Sequence, residues 1–154
     1  MAGINVNHIN PFLAASSQVL KTMVNVDTKI GKPMIKDSAF HNDTIVIIIG
    51  ITGEIKGQVM IAIENYVACD IASKMIMTQV GQLDDLAMSA ISELGNMILG
   101  NAATMLSNNG ITVDITTPTI ATGNVRFQGD VPNISVPLVY DDDKIIEINV
   151  SIKG

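Results

Sequence analysis

Tryptophan is absent from this 154-residue chain, and aromatic residues together reach only 3%. The core must therefore be aliphatic, built from Ile, Val, Leu, Ala and nine Met. Cysteine is almost as scarce. Cys69 stands alone, so no internal disulfide can form, which fits a reducing compartment. Long hydrophobic runs are missing as well. The longest apolar stretch apart from Gly, Ile45 to Ile51, is far short of the ~20 residues a membrane-spanning helix needs. No basic stretch followed by an apolar segment marks a signal peptide. Basic residues are few, nine against fifteen acidic ones, for a net charge of -6. The imbalance is confined to one half: residues 1–76 carry six Lys and six Asp or Glu, residues 77–154 three Lys or Arg and nine Asp or Glu. A protein that grips nucleic acid needs the opposite sign to offset phosphates, so that class is excluded. The expectation is a cytoplasmic protein with neither a membrane nor a nucleic acid as partner.

A hydrophobic content of 47% is that of a folded protein, and the length suits a single domain over residues 1–154. Asn10-Pro11 reads as an N-cap followed by Pro in the first turn, opening a helix within residues 7–25. Residues 26–35 read as a strand broken by Gly31 and Pro33. Residues 44–52 are β-branched nearly throughout, as in a strand buried on both faces, and residues 56–64 return from a turn at Thr52-Gly53-Glu54. Gly57 implies a bulge or a close backbone approach. Two helices follow, over 65–78 and 82–107, the second ended by Asn108-Asn109-Gly110. Strands are expected at 111–116, 119–121, 133–140 and 144–152, with Asp141-Asp142-Asp143 as a hairpin turn. This order predicts an α+β fold, a largely antiparallel β-sheet with helices packed on one face.

The long second helix is unusual. At about 100° per residue, Asp85, Ser89, Ser92, Glu93, Asn96, Gly100, Ala103, Thr104 and Ser107 share one face. Leu83, Leu86, Ala90, Leu94, Met97, Ile98 and Met105 are assigned to the other, with Asn101 as a polar intruder. Surface helices normally carry long Lys, Glu, Gln and Arg, which are good helix formers. Here the outer face holds Ser, Asn and Gly. Gly95 and Gly100 each cost about 1 kcal/mol relative to Ala within a helix. Gly95 points away from this face and permits close packing on another element. A face cleared of bulk, with one carboxylate and one amide projecting, suits the close approach of another macromolecule.

Ser89-x-x-x-Glu93-x-x-Asn96, followed by Pro118, resembles the signature of the CheC/CheX/FliY chemotaxis phosphatases. The resemblance extends over most of the chain, including the Asn10-Pro11 helix and the Thr52-Gly53-x-x-x-Gly57 turn. In order and length it is most similar to the CheX branch. It implies an enzyme that removes phosphate from the aspartyl-phosphate of a CheY-type response regulator. Glu93 and Asn96 take the catalytic positions, and Ser89, Ser92 and Gly100 belong to the partner-binding face. Glu93 is implied to pair with the receiver's Lys and Asn96 to place the attacking water. An amide can accept from and donate to a water but cannot serve as a general base. CheC-like relatives carry the motif twice. Here the first helix offers Ser16, Leu20 and Met23, or Ser17, Lys21 and Val24, with neither Glu nor Asn at the matching places, so one active surface per chain is expected. The chain has no phosphate loop and no metal-ligand spacing. No cofactor is expected to be held by it, Mg²⁺ being supplied by the receiver partner. The resemblance also implies a homodimer. The alternative is a non-catalytic module that binds a response regulator or sits in a flagellar switch; a structural homodimer with a fortuitous motif is a third.

Other residues carry plainer readings. His8 and His41 stand apart from any Cys or carboxylate at ligand spacing. Cys69 reads as a core thiol. The methionines read as core filler, although Met75, Met77 and Met88 could instead line a partner surface. Pro118 reads as structural, ending one strand segment and placing the next.

Overall fold

The computed structural model describes residues 5–127 and 131–153. Helix α1 (Val6–Val19) is capped by Asn5, whose side chain accepts from the Asn7 N–H at 2.9 Å. Pro11 therefore lies inside the helix, and Asn10-Pro11 does not start it. The placement is tolerable because the hydrogen bond that Pro11 cannot give is the one to Asn7, an exposed residue whose carbonyl water can serve. A π-helical turn, Leu20–Val24, closes the helix at Asn25, with φ 60°.

Among the described residues ten strands and two further helices follow: β1 (Lys29–Ile30), β2 (Met34–Ile35), β3 (Ser38–Phe40), β4 (Thr44–Gly53), β5 (Lys56–Glu64), α2 (Asn65–Ile76), α3 (Asp85–Asn108), β6 (Val113–Ile115), β7 (Thr119–Thr122), β8 (Val125–Phe127), β9 (Ile134–Tyr140) and β10 (Lys144–Lys153). Eight of them form one antiparallel sheet in the order β1-β9-β10-β5-β4-β6, with β2 also on β9 and β7 also on β4. The β4–β5 hairpin pairs Thr44 with Glu64 and Ile51 with Gly57, as its alternation and turn predict. At Gly57, φ is 150° and any Cβ would run into the Ser151 carbonyl oxygen, so the close approach is real and only Gly fits. The Asp turn between β9 and β10 holds Asp141 and Asp142 at φ 49° and 65°, the left-handed pair a tight hairpin requires.

The three helices cover one face of this sheet. Ile45, Ile47, Ile49, Ile61, Ile63, Leu138, Ile146 and Ile148 meet Phe12, Leu20, Ile71, Ile91, Leu94 and Ile98 in one aliphatic core. On the opposite face Val46, Met60 and Ala62 are covered by Phe40 of β3, whose ring meets Phe127 of β8 edge-on at 6.5 Å. Strand β4 is thus buried on both faces, as its composition requires. The expected α+β arrangement with helices on one face is the one observed. The small β3–β8 ribbon on the other face goes beyond it, because three-residue strands carry too little pattern to be read.

Candidate active site

Helix α3 starts at Asp84, whose carboxylate accepts from the Ala87 N–H at 2.9 Å. Asp84 is the N-cap, so the helix opens three residues later than its periodicity implies. Ile91, Leu94, Ile98, Leu99, Ala102 and Leu106 are buried beneath it. Gly95 sets the depth of contact with the sheet. A Cβ there would stand 3.0 Å from both Cδ1 and Cγ2 of Ile47, so the missing side chain lets α3 lie this close to β4 without Ile47 having to shift.

The outer face is built as its residues predict. Ser89, Glu93, Asn96, Thr104 and Ser107 are exposed. Gly100 is half-buried, yet a Cβ on it would meet nothing within 4 Å, so its missing side chain serves no internal packing. Ser92 is half-buried at the flank. Glu93 and Asn96 are three residues apart, about 4.5 Å along the axis and about 60° around it, so both project to the same side. Among the described residues neither makes a side-chain hydrogen bond or an ion pair, whereas the Thr104 hydroxyl is turned inward to the Gly100 carbonyl at 3.1 Å. Helix α3 contains no Lys or Arg. The carboxylate and the amide are thus free for an incoming partner.

One assignment needs correction. Leu86 was expected on the core side, and it is 61% exposed. The buried arc is centred on Ile91, Leu94 and Ile98, and Leu86 lies only about 20° from Glu93 in projection, so it belongs to the outer face. Met75, Met77 and Met88 do not share one surface: Met75 and Met88 pack against the core, while Met77 is 90% exposed. Helical spacing by itself sets Leu86 about 60° from Ser89, within the outer face, whereas Met77 lies past the end of α2, where that spacing no longer applies.

The remaining candidates fall away from this face. In α1, Ser16 is buried and donates to the Phe12 carbonyl at 2.6 Å, and Ser17 meets Thr28 at 2.9 Å, so neither begins a second motif. Cys69 is half-buried, and burial, with Asp84 nearby, raises its thiol pKa, the wrong direction for a nucleophile. Among the described residues no group of three His, Cys, Asp or Glu could hold a metal ion. His41 lines a pocket of about 240 Å³ with Lys36, Glu64 and Glu147, where the sheet meets the start of α2 at Tyr66 and Val67. Pro118 stands between β6 and β7, which pair with separate stretches of β4, so it falls where the ladder needs no N–H.

The chain has relatives that match it over nearly its full length. The family described as chemotaxis phosphatase CheX matches residues 45–139, a span that includes Ser89, Glu93, Asn96 and Gly100. The CheY-P phosphatase CheX of Thermotoga maritima is 29% identical over 148 residues, 95% of this chain and 96% of that protein. Among solved structures, a CheC-like superfamily protein from Shewanella sp. PV-4 superimposes with a TM-score of 0.88 at 31% identity, over 98% of this chain and 100% of its own. A chain of the CheX-CheY-BeF3-Mg²⁺ complex from Borrelia burgdorferi does so with a TM-score of 0.81 at 31% identity, over 96% of this chain and 98% of that one.

Proposed function

Because the chain belongs to the CheX family of chemotaxis phosphatases, we propose that it hydrolyses the aspartyl-phosphate of a CheY-type response regulator, with Glu93 docking on the receiver and Asn96 orienting the attacking water. The observation that carries this reading is the joint exposure of two unengaged polar side chains, Glu93 and Asn96, flanked on one helix face by the small residues Ser89, Ser92 and Gly100. The Borrelia relative is a complex with CheY and Mg²⁺, which supports a receiver partner that brings its own metal.

The chemistry asks little of this chain. Water attacks the phosphorus in line, the bond from phosphorus to the receiver's carboxylate oxygen breaks, the Asp carboxylate is regenerated on the receiver, and phosphate departs as H2PO4⁻ with the water's oxygen and protons. Asn96 accepts a hydrogen bond from the water through Oδ1, which aims an oxygen lone pair at the phosphorus. Its contribution is positional, since an amide takes no proton at neutral pH. Glu93 pairs with a cation of the receiver, and burial on docking strengthens that pair relative to an exposed one. Ser89, Ser92 and Gly100 form the clearance that lets the receiver's pocket close over the ridge. One such surface per chain is proposed. A homodimer is proposed through the sheet edge at β1 and β2, where Ile30, Met34 and Ile35 are all more than half exposed.

The test is the decay of a phosphorylated CheY-type receiver in the presence of the parent protein, Asn96→Ala and Glu93→Gln. We expect the parent to accelerate phosphate loss and Asn96→Ala to lower kcat by about 10² or more while still folding. Glu93→Gln should act mainly through weaker association. A parent that binds the receiver and leaves its decay unchanged would instead identify a regulatory binding module.

A further inference from the structure

The ridge on α3 offers reach and clearance but little affinity. Interfaces draw most of their binding from a few large side chains buried at the centre, and Ser, Gly and Ala contribute little. On α3 the exposed large hydrophobic residue is Leu86. It lies about 20° around the helix from Glu93 and about 15 Å along the axis from Asn96. A typical recognition patch of about 800 Å² per partner is some 30 Å across, so all three fit in one footprint.

Met77 makes the case from a different observation. It ends α2 with φ 59°, a left-handed conformation that glycine adopts freely and a side chain resists. Its own side chain is 90% exposed, so no internal packing compensates for the strain. Met77 and Leu86 bracket the short connection that leads into α3. The fold gains little from either side chain, and both are apolar surface left to water.

We propose that Leu86 and Met77 form the apolar anchor by which this surface holds the receiver domain. The proposal rests on the phosphatase reading and adds to it the contact that sets affinity, in place of the chemistry. The receiver is the occupant because Leu86 lies on the α3 face that presents Glu93 and Asn96, and Met77 stands at the other end of the connection that enters that helix. A second copy of this chain is the competing occupant.

The experiment uses Leu86→Ala, Met77→Gly and the double variant, all compatible with the local backbone. Steady-state phosphate release is followed against the concentration of a purified CheY-type receiver phosphorylated with acetyl phosphate and Mg²⁺, the receiver Kd is measured directly, and sedimentation reports oligomeric state. We expect the double variant to raise KM and Kd about tenfold with kcat unchanged within about twofold, and Met77→Gly to unfold at no lower temperature than the parent. Unchanged Kd and KM in an active protein overturn the anchor alone. A shift in oligomeric state with Kd unchanged assigns the patch to a second copy and overturns it too. A parent that binds without hydrolysing removes the phosphatase reading, and the variants' Kd still decides the anchor. A parent that does not bind the receiver overturns both.

Discussion

Gly95 and Gly100 stand five residues apart in one helix and meet opposite demands. Gly95 faces Ile47 at a distance where any side chain forces the strand's core residue to shift. Gly100 faces open space. Replacing each with Ala separates the roles. Gly95→Ala should destabilise by about 1–3 kcal/mol through overpacking. Gly100→Ala should stabilise by up to about 1 kcal/mol through helix propensity, while lowering phosphatase activity by obstructing the approach to Asn96. Urea unfolding and receiver turnover, measured on both variants, check the pair. The sequence already marked both glycines as costly and placed them on different faces. It could not say what either would touch, because that depends on Ile47, almost fifty residues away.

At the scale of elements, α3 depends on its first turn. The Asp84 carboxylate takes up the Ala87 N–H, and no other side chain caps that end. Asp84→Ala should cost about 1 kcal/mol of stability and fray the turn that carries Leu86 and leads to Ser89. Thermal unfolding reads the first effect, and amide hydrogen exchange at residues 85–89 the second. The hairpin β4–β5 and the helices α2 and α3 follow from periodicity and turn residues within short windows. The start of α1 does not. Asn10-Pro11 has the chemistry of a boundary, yet Asn5 caps the helix, and an exposed carbonyl at Asn7 makes the internal Pro tolerable. Strands β1, β2, β3 and β8 have two or three residues each and exist only through their partners.

Across the whole molecule, a partly buried side-chain contact ties the helix layer to the sheet. The Tyr140 hydroxyl, at the end of β9, donates to Asp70 on α2 at 2.7 Å, and Lys74 meets the same carboxylate at 2.8 Å. Burial works against the Asp70 charge, but the bonds from Lys74 and Tyr140 outweigh it and hold the carboxyl below its ordinary value of 3.8. Its contribution to stability is therefore present above that pH and disappears as pH falls through the lower folded value. The Tyr140 phenol is pushed well above its ordinary value of 10.0, by burial first and then by Asp70. Its contribution is complete below pH 10 and is lost as pH rises beyond it, when the unfolded phenol ionises first. Tyr140→Phe should cost about 1–2 kcal/mol at neutral pH and remove this alkaline loss, which unfolding curves across pH can show.

Helical and strand periodicity relate residues within a few turns of one another. That is why Ser89, Glu93, Asn96 and Gly100 could be set on one ridge, and why an aliphatic, largely antiparallel α+β core was already evident in the amino acids. Which arc of α3 faces water is settled by distant partners: Ile47 beneath Gly95, and α1 packed along the helix. Contacts between residues so far apart leave no local pattern. The outward position of Met77 and the link from Tyr140 to Asp70 therefore emerged only when the layers were packed.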